Sequence, residues 1–373
     1  MIKKIRLQGL LSFEDMELEL RNLNVLIGPN GSGKSNLIEA LSLLQALPTD
    51  IAEPIRRGGG IGEWLKKSGN DNPSATMTVE TEGQQADQRC YRDYSLKLGN
   101  ESGRYTIIGE LLRAGTIAGK RTKREKVVAN SATSQASALT GKPGLWQMLG
   151  DGSDVAALAS EFSKILLYRQ WSFGRNAAPR QHQPADYDPT FLMEDAENLA
   201  LVVNDLDNMR IKTNVEAEFR RFYNRCERFS VSIFGNRLML NMHEEGLSQP
   251  IPATRWSDGM IRYLCLLAIL CHPNPPGLIC IDEPDLGFHP DVLPNLARLI
   301  KSASERTQII ITTHSAELVD QFTDEPESVV VCERDFDGAT QMKRQDPKRL
   351  KKWLEDYALG DLWRRGEIGG NPF

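Results

Sequence analysis

Apolar and polar positions alternate along the start of the chain, predicting strands over residues 2–8 and 14–19. A third, buried strand follows from Asn22 to Gly28. Leu37, Ile38, Leu41 and Leu44 then recur at helical spacing until Pro48 ends the run, so the opening reads strand, glycine-rich loop, helix. From about Asp71 to Gly144 the pattern changes to short strand candidates, "ATMTVE", "RDYSLKLG" and "RYTIIGE". These are followed by a Ser/Thr/Ala/Gly-rich stretch from Asn130 to Gly144, and together they predict an inserted antiparallel sheet and a loop. Residues 190–228 read as helical, with Leu192, Leu199, Val202, Val203 and Leu206 on one face and Arg220, Arg221, Arg225 and Arg228 at the end. A hairpin is expected around "IFGNRLML".

From Thr254 onward helix (259–271, 291–305, 315–322) alternates with strand (277–282, 307–312, 328–332), the pattern of a parallel sheet covered by helices. "RLKKWLEDYAL" predicts an amphipathic helix, and "GDLWRRGEIGGNPF" a tail with an exposed tryptophan. No heptad pattern lasts three or four turns, so a long coiled coil is excluded. The boundaries expected are 1–70, a β subdomain with the glycine-rich loop; 71–253, an inserted β and helical lobe; 254–340, the alternating lobe; and 341–373, a helix and tail.

Composition narrows the class. With 40% hydrophobic and 25% charged residues in 373, the chain has material for an ample core. Its longest apolar run, Leu264 to Cys271, falls short of the roughly twenty residues that cross a bilayer. The N-terminus alternates like a strand where a signal peptide would need an apolar stretch, so no membrane partner and a cytoplasmic location are expected. Six cysteines without C-x-x-C spacing read as core thiols. A net charge of −5 argues against a surface that coats nucleic acid throughout, leaving local basic runs as candidates.

Chemistry concentrates at three strand ends and one helix start. "GPNGSGKS", Gly28 to Ser35, fits G-x-x-x-x-G-K-S between a strand and a helix. Its glycines let backbone N–H groups of Asn30, Gly31, Ser32, Gly33 and Asn36 curl round phosphates at a helix N-terminus. Lys34 should reach the β- and γ-phosphates, and the Ser35 hydroxyl should hold Mg²⁺. "GLICIDEP" is an apolar strand ending in Asp282, a candidate Mg²⁺ ligand, and Glu283, a candidate base for the attacking water. The plainer reading is an acidic cap before Pro284. "IIITTHSAEL" ends a further strand at His314, where imidazole could bond a γ-phosphate. "WSDGM", Trp256 to Met260, sets a polar lip before an apolar helix anchored by Ile261, Leu264 and Leu267; a simple N-cap by Ser257 or Asp258 is its plainer reading.

These elements in this order resemble the ATP-binding-cassette ATPases, and more narrowly their soluble branch of RecF, SMC heads and OLD-type (AAA_21-type) predicted ATPases. The resemblance covers 1–47 and 254–332. It implies an α/β P-loop ATPase head with an antiparallel β subdomain and a mixed insertion, using ATP and Mg²⁺. It also implies that Ser257 and Gly259 contact the γ-phosphate of nucleotide on a second subunit, so that ATP is shared across a homodimer or higher even oligomer. Asp258 departs from the glycine of the usual L-S-G-G-Q signature, and Met260 from its glutamine; the Ser-Asp-Gly form, and "GKSNLIEAL" where transporters tend to have threonine after the serine, speak against a transporter subunit. Asp285 in "EPDLGFHP" is the implied dimer contact, and Gln170, with Gln183 as alternative, the implied glutamine ligand of Mg²⁺.

Relatives of this type act on DNA or control a nuclease, several in defence against phage. OLD-type chains continue into a nuclease, and the forty residues after the last strand here are too few for one. A separately encoded effector docking on the tail or the insertion is therefore expected. Nucleic acid is the other candidate partner, through Lys120–Lys126, Lys343–Lys352 and the Arg220–Arg228 cluster.

Overall fold

The computed structural model describes residues 1–67, 73–85, 88–118, 121–131, 136–140, 147–148, 153–169, 171 and 173–370. It divides into two compact units, one of residues 1–166 and 312–373, the other of residues 167–311.

In the first unit the alternating N-terminal segments form the antiparallel pair Ile2–Leu10 and Phe13–Glu19. Ile5 and Leu7 point to the core, while Lys4 on the opposite face lies 3.3 Å from Glu17 and 3.4 Å from Glu80. The strands expected to build a separate inserted sheet after residue 71 instead continue this one. Ser74–Gln85 pairs with Ile2–Leu10, setting Ile5 opposite Val79, and Gln88–Glu101, Arg104–Ala118, Arg121–Ser131 and Gln147–Met148 follow in sequence order. The composition shift at residue 71 thus marks no change of sheet. Arg92, buried on this sheet, donates to Asp154 at 3.1 Å and Glu161 at 3.3 Å on the Ser153–Ser163 helix, so its charge is compensated where water is excluded.

The same unit holds the fully buried strand Leu23–Ile27 and the helix Lys34–Ala46, whose Leu37, Ile38, Leu41 and Leu44 form the predicted apolar stripe. Val329–Arg334 runs parallel to Leu23–Ile27 and turns back antiparallel through Thr340–Arg344.

The C-terminal segment departs from expectation. In place of one amphipathic helix there are a turn of helix at Pro347–Leu350, a 3₁₀ turn at Trp353–Glu355 and a helix at Leu359–Arg364. Trp363, expected to be exposed, is fully buried and donates through Nε1 to the Gly370 carbonyl; Trp353 is the exposed one. The last helix sits close against Ala316–Asp320: Gly360 N–H donates to Asp320 at 2.7 Å, and a Cβ at Gly360 would meet the Ala316 carbonyl at 2.1 Å. The tail packs on its own unit.

The second unit carries the predicted hairpin, Cys226–Phe234 with Arg237–Glu244, flanked by Gln183–Pro184 and Ile251–Pro252. The segment read as helical over 190–228 is two helices, Leu199–Asp205 and Lys212–Phe222. The chain breaks between them where Arg210 adopts a φ of 59°. Strand Leu278–Ile281 runs parallel to Gln308–Thr312, with helices Asp258–Leu270 and Leu293–Ser304 as expected. Five of the six cysteines are buried and Cys271 is half-buried, none in a disulfide; burial pushes the Cys265 and Cys280 thiols up. Among the described residues no helix is long and apolar enough to cross a membrane.

Because Trp363 is buried against the first unit, Trp363→Ala should destabilise the protein by about 3–5 kcal/mol, the usual cost of truncating a buried aromatic. Urea unfolding followed by far-ultraviolet circular dichroism measures this; an unchanged midpoint would mean the tail contributes nothing to the core.

Candidate functional site

The glycine-rich loop leaves the buried Leu23–Ile27 strand and enters the Lys34–Ala46 helix at Gly33, which has a φ of 104°. Two glycines are demanded by close approach as well as by conformation. A Cβ at Gly28 would meet the Cys332 carbonyl at 2.2 Å, and one at Gly33 would meet Thr340 Oγ1 at 2.2 Å. The Lys34 ammonium folds back into the loop, donating to the Gly28 carbonyl at 2.7 Å and the Pro29 carbonyl at 3.0 Å. No acidic residue stands in the first helical turn to offset the positive helix end. Ser32 Oγ is buried with no protein hydrogen-bond partner, while Ser35 is exposed. Unshielded helix end, amine and unpaired hydroxyl together suit a phosphate group.

The loop is fixed from behind by residues that the motif does not contain. Asn36 Nδ2 donates to Ser12 Oγ at 2.7 Å, Ser12 Oγ lies 2.7 Å from Thr340 Oγ1, and Thr340 Oγ1 donates to the Ser32 carbonyl at 2.9 Å. With Thr340 donating to Ser32, the Ser12 hydroxyl must donate to Thr340, giving one consistent proton order along the chain of four. Arg334 Nε adds a bond to the Gly31 carbonyl at 2.6 Å. Ser12, Arg334 and Thr340 were not singled out by sequence, since ordinary residue types at distant positions carry no local signal. His314, in contrast, falls where expected for its strand end. Thr313 N–H donates to the Leu26 carbonyl at 3.1 Å, so the following residue leaves beside the strand that feeds the loop.

In the second unit the Leu278–Ile281 strand ends at Asp282, whose N–H donates to the Tyr168 carbonyl at 2.8 Å. Glu283 has a φ of 48°, unusual for a residue with a side chain, and its carbonyl accepts from Leu286 N–H at 3.1 Å and from Arg262 at 3.4 Å. Arg262 lies 5.4 Å from the centre of the Phe173 ring and 5.9 Å from that of Trp171. Burial holds its pKa below the usual arginine value, opposed by Cys265, Asp285, Glu283 and Asp258. One arginine on the helix that follows the lip is thereby linked to the acidic strand end and to Asp285 of the next loop.

The lip itself is a formed N-cap. Ser257 Oγ accepts from Met260 N–H at 3.2 Å, and the Asp258–Leu270 helix begins there. Ser257 and Gly259 line a cavity of about 570 Å³ whose other walls include Arg221, Phe222, Phe288 and His289. Phe222 stacks on Tyr263 at 4.5 Å and meets Phe288 edge-on at 5.8 Å, giving the cavity an aromatic floor.

Gln170 lies outside the described residues. Gln183 is a structural amide: its Oε1 accepts from Ala200 N–H at 2.6 Å and its Nε2 donates to the Ala178 carbonyl at 3.3 Å. The arginine cluster is not one helical face. Arg221 lies 3.7 Å from Glu218, Arg225 lies 2.9 Å from Glu244, and Arg228 is on a strand beside His243. Within Lys343–Lys352, Arg344 is tied to Asn24 and the Glu19 carbonyl, both at 2.6 Å, and burial pushes its pKa down to about 10. Lys343, Lys348, Arg349, Lys351 and Lys352 remain exposed. The side chains of the Lys120–Lys126 run lie outside the described residues.

Comparison with known proteins agrees with this geometry. Residues 145–320 match the AAA_21 model, described as an AAA domain, putative AbiEii toxin, Type IV TA system, and residues 4–149 match AAA_23, an AAA domain. Two Arabidopsis thaliana relatives are ABC transporter A family member 7, 34% identical over 115 residues, and member 12, 41% identical over 66 residues. These matches cover 30% and 18% of this chain, and 11% and 7% of the relatives, so the chain spans about a tenth of their length.

Among solved structures, an SMC head bound to the C-terminal winged-helix domain of ScpA is similar with a TM-score of 0.61 at 15% identity, over 94% of this chain and 99% of that one. The Pyrococcus furiosus-derived complex of an SMC head, with an extended coiled coil, and the C-terminal domain of ScpA gives 0.55 at 14% identity, over 95% and 98%. The sequence matches point to an ABC-type P-loop ATPase and the chain has the fold of an SMC head, with no coiled coil among its described residues.

Since Thr340 joins the Ser12–Asn36 chain to the loop carbonyl, Thr340→Val, which keeps shape and loses the hydroxyl, should weaken ATP binding by about tenfold. Thr340→Ser should restore most of it. Titration with a fluorescent ATP analogue checks both; equal affinities would show that the loop holds itself.

Proposed function

We propose that this protein is a nucleotide-gated switch: two copies trap ATP between them, hydrolysis releases them, and the cycle governs a separately encoded effector, a nuclease acting in defence against phage. The observation that carries the reading is the Gly28–Gly33 loop with the Lys34 amine folded into it and a clear helix end behind it.

In this reading Lys34 moves from its loop carbonyls to the β- and γ-phosphates, while the N–H groups from Asn30 to Asn36 cradle the phosphate chain. Ser35 and Asp282, with Gln170 as a further ligand, would hold Mg²⁺, which would supply charge neutralisation. Glu283 takes the proton of the attacking water and His314 bonds the γ-phosphate, registering its loss. Ser257 and Gly259 meet the γ-phosphate of the second copy's nucleotide, and Asp285 lies at the dimer contact. Each copy thus holds two halves of different sites, so hydrolysis is slow in a monomer.

Support for a governed partner comes from the AAA_21 description, which names a toxin of a toxin–antitoxin system, and from SMC heads solved with a ScpA domain bound. A second reading, direct action on DNA as a repair or maintenance ATPase, is favoured by the exposed lysines between Lys343 and Lys352. ATP-dependent, salt-sensitive DNA binding by the isolated chain would select it over the effector reading.

The test is mass in solution. The Glu283→Gln variant should form a dimer with ATP and Mg²⁺ that is absent without them and lost on adding Ser257→Arg. Lys34→Ala should lower hydrolysis by at least about 100-fold, the scale of removing a group that stabilises transferring charge. An unchanged mass together with full activity in Ser257→Arg would refute the shared site.

A further inference from the structure

The lip contains an electrostatic conflict. On the reading just proposed, Ser257 and Gly259 approach a highly charged phosphate group, yet between them stands Asp258, a carboxylate where the resembling family has glycine. Unopposed, that negative charge would repel the ligand at short range, where screening by salt is least effective.

The second unit contains an answer from a different part of the chain. Arg180, in the 3₁₀ turn Ala178–Arg180, is buried to 5% exposure, and four of its five N–H groups find acceptors. Nε donates to the Phe173 carbonyl at 2.7 Å; Nη1 donates to the carbonyls of Ala253, at 3.4 Å, and Trp256; and Nη2 donates to Asp258 Oδ1. The Asp258 carboxylate remains largely exposed, 70%, so one face is held by Arg180 while the other looks outward beside Ser257. Arg262, one turn into the helix, adds a second cation that senses Asp258 at longer range.

We propose that Arg180 is the positioning residue of the lip: its guanidinium fixes the turn from Ala253 to Asp258 and neutralises Asp258, letting Ser257 and Gly259 receive a phosphate group from a second copy. This rests on the shared-nucleotide reading. The residue types fit the task. Arginine presents several donors in a planar fork and stays charged when buried, so one side chain can hold two consecutive features of the turn, its carbonyls and its carboxylate.

The experiment separates charge from scaffolding. In the Glu283→Gln parent, the dimer dissociation constant with ATP and Mg²⁺ is measured for Arg180→Gln, Arg180→Lys and the double variant Arg180→Gln/Asp258→Asn, with melting temperatures recorded alongside. Arg180→Gln should weaken the dimer tenfold or more, Arg180→Lys, which keeps the charge and loses the planar fork, should weaken it by less than tenfold, and Asp258→Asn in the Arg180→Gln chain should bring it back to about threefold. A purely structural role would not be relieved by removing the carboxylate. Equal weakening by Gln and Lys, or no rescue by Asp258→Asn in a folded double variant, overturns the proposal alone. Should Arg180→Gln not fold, Arg180→Lys is decisive, since a tenfold loss there refutes the charge argument. A parent with no ATP-dependent dimer sinks the shared-site reading and this proposal with it.

Discussion

A loop that binds phosphate through backbone N–H groups must be rigid before the ligand arrives, and it must be built from residues too small to hold themselves in place. The Gly28–Gly33 loop meets this constraint by borrowing its rigidity. Thr340 fills the space that a side chain at Gly33 would need and bonds the neighbouring Ser32 carbonyl. Ser12 and Asn36 complete the chain of bonds, and Arg334 holds Gly31. Glycine and threonine are thus reciprocal parts of one fit, although they lie at opposite ends of the sequence. This explains why the return segment from Thr312 belongs to the same compact unit as the N-terminus: without the hairpin that carries Arg334 and Thr340, the loop would have no wall to rest against.

On the shared-nucleotide reading, the lip in the second unit faces the same demand with different material. Its helix start is capped in the ordinary way by Ser257, but the turn before it is held by one buried guanidinium instead of a relay of hydroxyls. The difference follows from charge. A hydroxyl relay adds no net charge and suits a loop already served by Lys34, whereas a lip that includes a carboxylate needs a cation, and three carbonyls that accept from the guanidinium offset the cost of burying it.

Much of the fold was legible because strong periodicity leaves few alternatives: the Leu37–Leu44 stripe, the N-terminal pair of strands and the alternation after Thr254 all appear close to their expected limits. What was not legible depends on partners distant in sequence. Ser74–Gln85 alternates as any half-buried strand does, and nothing local says that it joins Ile2–Leu10 instead of opening a new sheet. Trp363 followed by two arginines reads as a surface feature, and only the docking of Gly360 against Ala316–Asp320 puts the indole inside. Arg180 and Thr340 are invisible for the same reason: a motif names the atoms that touch a ligand, and leaves unnamed the residues that hold the motif.

Glu283 combines the two kinds of information. The carboxylate follows an apolar strand and is legible as a candidate base, but its φ of 48° is a property of the folded chain that costs on the order of 1–3 kcal/mol for a residue with a Cβ. Such strain persists only where surroundings determine the backbone on both sides. Here Asp282 N–H is tied to Tyr168, and the Glu283 carbonyl takes two donors, Leu286 N–H and Arg262. Arg262 belongs to the helix that opens at the lip, so the backbone of the acidic strand end is held by the element whose first turn carries Ser257 and Gly259. A displacement of the lip would therefore be felt at Glu283 through a single side chain, which is the mechanical connection that a switch driven by a phosphate at the lip requires.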